Sequence, residues 1–372
     1  MSADRRQPTA DSRPHASTDR EVPARFPPST AAGKGEPAIR VANIARLISA
    51  SLAHRLRGTR RPLNLMLGLT DRCTGGCAYC AIPARSRPEM SLPQVRRLLA
   101  EARAMGCQRL GLWGGEPLCR EDLGDIIRHA QDLGLWVTVD TNAHLIPERD
   151  DALAGVDHLN ISLDGDRAAH DAARGPGSFD RTLRGLVHAV GRHRFWTITV
   201  LSKANLDQVD WVLDLARRLR FLTNFQVLHH NDQLGRNDAL RPDDRELREV
   251  VALLVARKRE GAPIASSPRL LQHLLQWPDY ARNRGPALAG APRCLAGALY
   301  CNVDVDGRLY PCSLFIDESV APSVVEQGFA AAFAALEPAP CGVCSATCFT
   351  EYNLLFGLDW QTGWNWVRAL RR

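Results

Sequence analysis

The rhythm of apolar and polar residues changes three times along the chain. Up to about residue 37 large apolar side chains are almost absent, and Pro, Ser, Arg and Asp prevail. Such a segment buries too little surface to offset its conformational entropy, so residues 1–37 are expected to be disordered. From 38 to 61 the period is helical, with Val41, Ile44, Leu47, Ile48, Leu52 and Leu56 three and four residues apart. Arg40, Arg46 and Arg57 fall elsewhere on the wheel. This amphipathic helix either packs on the main domain or rests on an anionic membrane surface.

Beyond Arg60-Arg61-Pro62, apolar runs at 64–69, 109–113, 136–140, 158–163, 195–201 and 224–229 alternate with helical periods. The helical periods lie near 91–105, 121–132, 147–153, 179–190, 206–219 and 243–259. Six strand-then-helix units argue for parallel strands with right-handed crossovers, hence an α/β barrel or a doubly wound sheet. This main domain spans 62–285. After about residue 285 Gly, Pro and Cys dominate, with hairpin signals such as Asp306-Gly307. Residues 286–372 read as a small separate module stapled by metal rather than by a core.

Composition narrows the class. Of 372 residues 45% are hydrophobic and 24% charged, which excludes a collagen, a wholly disordered chain and a polytopic membrane protein. The first ten residues lack the apolar core of a signal peptide, so a cytoplasmic location is expected, with at most peripheral contact at the inner membrane face. Residues 1–61 hold 12 basic and 5 acidic residues, and the remainder is nearly neutral. A nucleic-acid partner is therefore not expected. Eleven cysteines in a cytosolic chain need an explanation other than disulfides.

After the first expected strand comes Asp71-Arg-Cys73-Thr-Gly-Gly-Cys77-Ala-Tyr-Cys80. Three thiolates within eight residues can wrap one soft metal centre. They are too few for a closed zinc site unless a distant Cys or His supplies a fourth. The alternative is a [4Fe–4S] cluster with one iron left open to a ligand. The second strand runs into Trp113-Gly114-Gly115-Glu116-Pro117, where glycines admit close backbone approach and a carboxylate can accept from an ammonium group. Polar residues then close the third and fourth strands, at Asp140-Thr141-Asn142 and at Ser162-Leu163-Asp164.

Together these motifs, over about residues 62–230, resemble the radical S-adenosylmethionine (radical SAM) enzymes. The resemblance implies a partial (β/α)6 TIM-type barrel. It implies that Cys73, Cys77 and Cys80 hold the catalytic cluster, whose open iron chelates the amino and carboxylate groups of S-adenosylmethionine. Tyr79 would lie near the adenine, Gly114, Gly115 and Glu116 at the methionine amine, and Ser162 and Asp164 at ribose or substrate. Asn205 is a weaker candidate, equally suited to a plain turn. Relatives show Thr-Asn-Gly where this chain has Thr141-Asn142-Ala143, so a left-handed backbone at 143 is not expected. Cys107 and Cys119 match no ligand position and read as small buried hydrophobes.

The tail holds Cys294, Cys301, Cys312, Cys341, Cys344 and Cys348. A hairpin returning Cys312 toward Cys294, joined to the pair Cys341-Gly-Val-Cys344, supplies four thiolates, enough for zinc or for a closed cluster. Beside the first motif, the tail resembles the twitch/SPASM auxiliary-cluster modules of the same enzymes. That implies a cysteine-rich β-hairpin/helix module with one auxiliary [4Fe–4S] cluster on Cys294, Cys312, Cys341 and Cys344. Cys301 and Cys348 remain spare, each open to a ligand, hydrogen-donor or plain thiol role. The implied activity is reductive cleavage of S-adenosylmethionine to a 5′-deoxyadenosyl radical that abstracts hydrogen from a substrate. An electron donor such as flavodoxin or ferredoxin would serve it. The short stretch before strand one leaves no room for a leader-binding domain, so a small metabolite or lipid-like substrate is expected ahead of a peptide. His229-His230 either face the substrate or are solvated, and Trp360, Trp364 and Trp366 are expected to anchor the terminal segment. A zinc-binding interaction module is the reading from another class.

Overall fold

The computed structural model describes residues 41–229, 238–318 and 320–370. The expected disordered segment 1–37 and His230 lie outside the described residues. Six parallel strands lie side by side in chain order: β1 (Asn64–Gly68), β2 (Arg109–Trp113), β3 (Trp136–Thr141), β4 (His158–Ser162), β5 (Phe195–Leu201) and β6 (Leu222–Val227). A doubly wound sheet reverses its strand order at a switch point. This one does not, and a partial (β/α)6 barrel results.

Alternation along each strand divides the residues between two sides. Leu65, Leu67, Leu110, Leu112, Val137 and Val139 are fully buried and pack in one cluster with Val95, Leu98, Leu99, Ile126 and Ile127 of the helices Leu92–Ala104 and Leu123–Asp132. The intervening positions form a polar lumen. There the Arg109 guanidinium donates to Asn64 Oδ1 (2.7 Å), Thr138 Oγ1 (3.0 Å) and the Tyr352 hydroxyl. Asn160 Nδ2 donates to Asp140 Oδ1 at 2.6 Å.

The cysteine-rich segment is less separate than its sequence suggests. After β7 (Arg284–Gly285), strand β8 (Tyr300–Val303) pairs in parallel with β1, Asn64 opposite Tyr300, and antiparallel with β9 (Leu309–Tyr310). The hairpin thereby occupies the edge of β1 and extends the barrel sheet to eight strands. A short ladder joins β7 to β10 (Val343–Cys344). The segment also builds an apolar cluster, including Leu295, Leu299, Tyr300, Tyr310, Leu314, Phe349 and Tyr352, which takes in Ala50 and Leu63 from the start of the described chain. It is held by a core as well as by any metal.

Two other expectations change. The helix Val41–Arg57 does pack on the body, through buried Ala50 and Ser51 and against the helix Thr347–Phe356. Leu47 packs inward with them, but most of the helix's apolar stripe faces outward: Ile44, Ile48, Leu52 and Leu56 are 40%, 42%, 42% and 78% exposed. Trp360 and Trp364 are exposed too. Only Trp366 of the three anchors the terminal helix, donating to Glu351 Oε1 (3.0 Å) with its ring against Trp196.

Candidate active site

The loop after β1 carries Cys73, Cys77 and Cys80, all half-buried. With Tyr79, Gly114, Gly115, Asp140, Ser162 and Arg174 they line a cavity of about 220 Å³ at the carboxyl ends of the strands. Donors already point at the sulfurs. Gly75 N–H reaches Cys73 Sγ at 3.3 Å, Asn142 Nδ2 reaches it at 3.7 Å, and the Arg174 guanidinium lies 3.8 Å from Cys77 Sγ. Burial pushes the Cys73 thiol up to about 11. The loop is fixed from the far end of the chain. Arg85 bridges Asp71 and Asp304, and Arg87 joins Asp304 at 2.5 Å, with Asp304 in the turn between β8 and β9.

The Gly114-Gly115-Glu116 segment packs tightly on the chain that leads into the first cysteine. A Cβ on Gly114 would lie 2.5 Å from Thr70 O, and one on Gly115 2.2 Å from Arg72 O. Gly115 N–H donates to Thr70 O (2.7 Å) and Glu116 N–H to Arg72 O (2.8 Å). The glycines admit close approach of the chain to itself, clamping the segment that leads into Cys73. Both also border the cavity. Glu116 does not. Fully buried, its carboxylate accepts from Thr141 Oγ1 (2.9 Å), Asn142 N–H (2.8 Å) and Leu118 N–H (3.1 Å). Burial, against those hydrogen bonds, lifts it to about 7.

Asp164 is likewise drawn away from the cavity. It is fully buried, pairs with Arg174 Nε at 2.6 Å, and accepts from Tyr79 OH (2.9 Å) and Val200 N–H (2.8 Å). Its work is to orient Arg174 and Tyr79, whose ring lies 5.6 Å from the guanidinium. Ser162 faces the cavity as expected. Asn205 closes a turn, bonding Asp164 O, Val200 O and Ser202 N–H. His229 is half-buried rather than solvated, and burial depresses it to about 4. Ala143 contradicts its expectation outright, with φ at 68°. The turn is over-determined: Thr141 Oγ1 accepts Ala143 N–H (2.9 Å), and Thr182 Oγ1 donates to Asn142 O (2.9 Å). Asp140, Thr141 and Asn142, the polar residues that close strand three, border the cavity. Sequence reasoning missed Arg174, which lies in a helix and carried no signal.

Cys294, Cys312, Cys341 and Cys344 form a second group. The β7–β10 ladder and the bond from Cys294 N–H to Gly342 O (2.9 Å) bring the pair back to Cys294. The thiol of Cys341 beside it pulls Cys294 below the ordinary thiol range. The Tyr300 hydroxyl stands 4.0 Å from Cys294 Sγ and donates to Asn353 Oδ1 (3.1 Å), while the buried Asn353 Nδ2 has no partner. Cys301 sits apart in β8, fully buried, near the Cys107 thiol and the Arg60 guanidinium. Cys348 is exposed, within electrostatic reach of Cys344 and Asp140. Among the described residues no three His, Cys, Asp or Glu side chains converge on a single metal ion.

A partial parallel barrel with a three-cysteine loop at the carboxyl end of its first strand defines an iron–sulfur barrel enzyme. Residues 67–216 match the Radical SAM superfamily. The chain is 30% identical over 285 residues to mycofactocin maturase MftC of Mycolicibacterium smegmatis, covering 73% of this chain and 70% of that one. It is 28% identical over 292 residues to the AdoMet-dependent heme synthase of Methanosarcina barkeri, covering 73% and 82%. In fold it is similar to Streptococcus suis SuiB bound to S-adenosylmethionine, with a TM-score of 0.59 and 17% identity over 74% of this chain and 66% of that one. It is also similar to anSMEcpe with bound AdoMet and a peptide, with a TM-score of 0.56 and 16% identity over 73% and 80%. The chain belongs to the radical SAM superfamily, enzymes that use a [4Fe–4S] cluster and S-adenosylmethionine.

Proposed function

We propose that Cys73, Cys77 and Cys80 hold the catalytic cluster and that the enzyme abstracts hydrogen from a substrate seated in the barrel lumen. The single observation that carries this is the convergence of the three thiols, the Gly114-Gly115 backbone, Ser162 and Arg174 on one cavity. The residues fit the group: N–H donors and a guanidinium face sulfurs that would share the cluster's negative charge. When bound, the cluster and S-adenosylmethionine supply the electron and the 5′-deoxyadenosyl radical. The chain's own part is to orient and to exclude water. Arg174, held by Asp164, keeps a positive charge at Cys77, and Tyr79 is fixed by the same carboxylate. Asp140, with its Oδ1 bonded to Asn160, is the carboxylate that borders the cavity and is suited to hold a donor group of the substrate.

Cys294, Cys312, Cys341 and Cys344 are the proposed holders of one auxiliary [4Fe–4S] cluster, and the unpartnered Asn353 Nδ2 is an available donor near it. Electrons would come from a flavodoxin- or ferredoxin-type donor. A small-molecule substrate agrees with the likeness to a heme synthase, and a peptide agrees equally with the likeness to the maturase MftC. Anaerobic reconstitution tests the reading: about eight irons per chain, four per cluster, are expected, with S-adenosylmethionine cleaved under dithionite. Cys294→Ala should lose about half of that iron, and Cys77→Ala all cleavage. Deoxyadenosine formation that persists in Cys77→Ala overturns it.

A further inference from the structure

We propose that the helix Val41–Arg57 and the arginines beside it dock this enzyme on an anionic membrane surface, with the catalytic mouth turned away. A surface helix ordinarily turns its apolar stripe to the core. Here only part of it does so. Ala50 and Ser51 are buried and Leu47 packs against the same cluster, whereas Ile44, Ile48, Leu52 and Leu56 form an outward row, one helical turn apart. Four large aliphatic side chains in one exposed row mark an interaction surface rather than scattered exposure.

The charge around that row selects the partner. Residues 41–61 contain five arginines and no Asp or Glu. Arg60 is spent inside the fold on the carbonyls of Gly297, Phe333 and Leu336. Arg46, Arg55, Arg57 and Arg61 are exposed and make no ion pair among the described residues. On the flank of the helix lies a cavity of about 340 Å³, lined by Arg46, Ser49, Arg61, Leu63, Arg103 and Gln108 among others, with no carboxylate. Arg103 is fixed there by Leu133 O (2.8 Å) and Cys107 O (3.1 Å). Three guanidiniums around a cavity beside an apolar row match a phosphate headgroup beside acyl chains. An acidic protein would satisfy the charges but would leave the aliphatic row without a counterpart.

The location is consistent with turnover. Leu63 and Gln108 directly precede β1 and β2, so the cavity lies at the amino ends of the strands, opposite the cysteine loop. Among the described residues no helix is long and apolar enough to cross a bilayer, so the contact is interfacial. The test is co-sedimentation of the full-length holoenzyme with phosphatidylcholine vesicles with and without phosphatidylglycerol. Binding only to the anionic vesicles, weakened by salt, is expected. Ile48→Glu with Leu52→Glu should abolish it, and Arg61→Gln should weaken it roughly fivefold. Both variants change exposed side chains, so thermal unfolding and S-adenosylmethionine cleavage should match the parent. Three results overturn the proposal: no pelleting with either vesicle, pelleting unchanged by the double variant, or a dimer in solution that the double variant converts to monomer. A cavity that protects Arg61 in the presence of inorganic phosphate while vesicles stay unbound overturns it as well.

Discussion

His158 opens β4 with its ring 4.6 Å from that of Trp196 and with Nε2 buried and unpartnered. Burial, helped by Arg109, pushes its imidazole from 6.5 down to about 3. The folded state therefore holds it neutral. As pH falls below about 6.5 the unfolded chain takes the proton first, and stability is lost progressively toward pH 3. Replacing it by Phe should remove that loss, so the variant should gain about 2 kcal/mol on the parent near pH 5 relative to their difference near pH 8. Thermal unfolding in the two buffers reads this, and an equal difference at both would show that His158 is not held neutral. The cysteines and glycines were legible at this scale because spacing alone carried them. Glu116 and Asp164 kept their places in the motif, and both spend their carboxylates on groups of the protein itself. Whether a carboxylate faces a ligand or its own backbone depends on the direction of its side chain, which residue order does not encode.

Strand and helix positions were legible to within a few residues, since alternation and helical period are local properties. The span expected as one helix over 179–190 proved to be preceded by a second, Arg167–Arg174, whose only apolar residues are alanines, so no large apolar side chains marked it. That second helix supplies Arg174. Packing between elements also explains Ala143. The helix Ser178–Ala189 runs so close beneath it that a Cβ on Gly185 would stand 2.0 Å from Ala143 O. Gly185→Ala should cost about 2–3 kcal/mol by overpacking and should displace Asn142 from Cys73. Chemical denaturation measures the first effect, and a lowered iron content after reconstitution would report the second. An unchanged denaturation midpoint would mean that the helix can shift without strain.

For the whole molecule the decisive contact is between the ends of the chain. Arg60, before β1, donates to Gly297 O (2.9 and 2.7 Å), Phe333 O (3.1 Å) and Leu336 O (2.6 Å), and its guanidinium lies over the Phe333 ring. Arg60→Ala should cost about 2–3 kcal/mol, because several carbonyls lose a charged donor at once. Limited proteolysis should then cut first after residue 285, and cleavage spread evenly over the chain would contradict this coupling. By itself the amino-acid order determined the six strand-then-helix units and the two cysteine-bearing regions of the chain, because these follow from period and spacing. The choice of a barrel over a doubly wound sheet needed the observed strand order. The tertiary structure alone decided that β8 joins the edge of β1, that Asp304 braces the first cysteine loop and that an aliphatic row points to solvent. Those outcomes depend on which surfaces meet across hundreds of residues, and burial of one face against another has no signature within either segment.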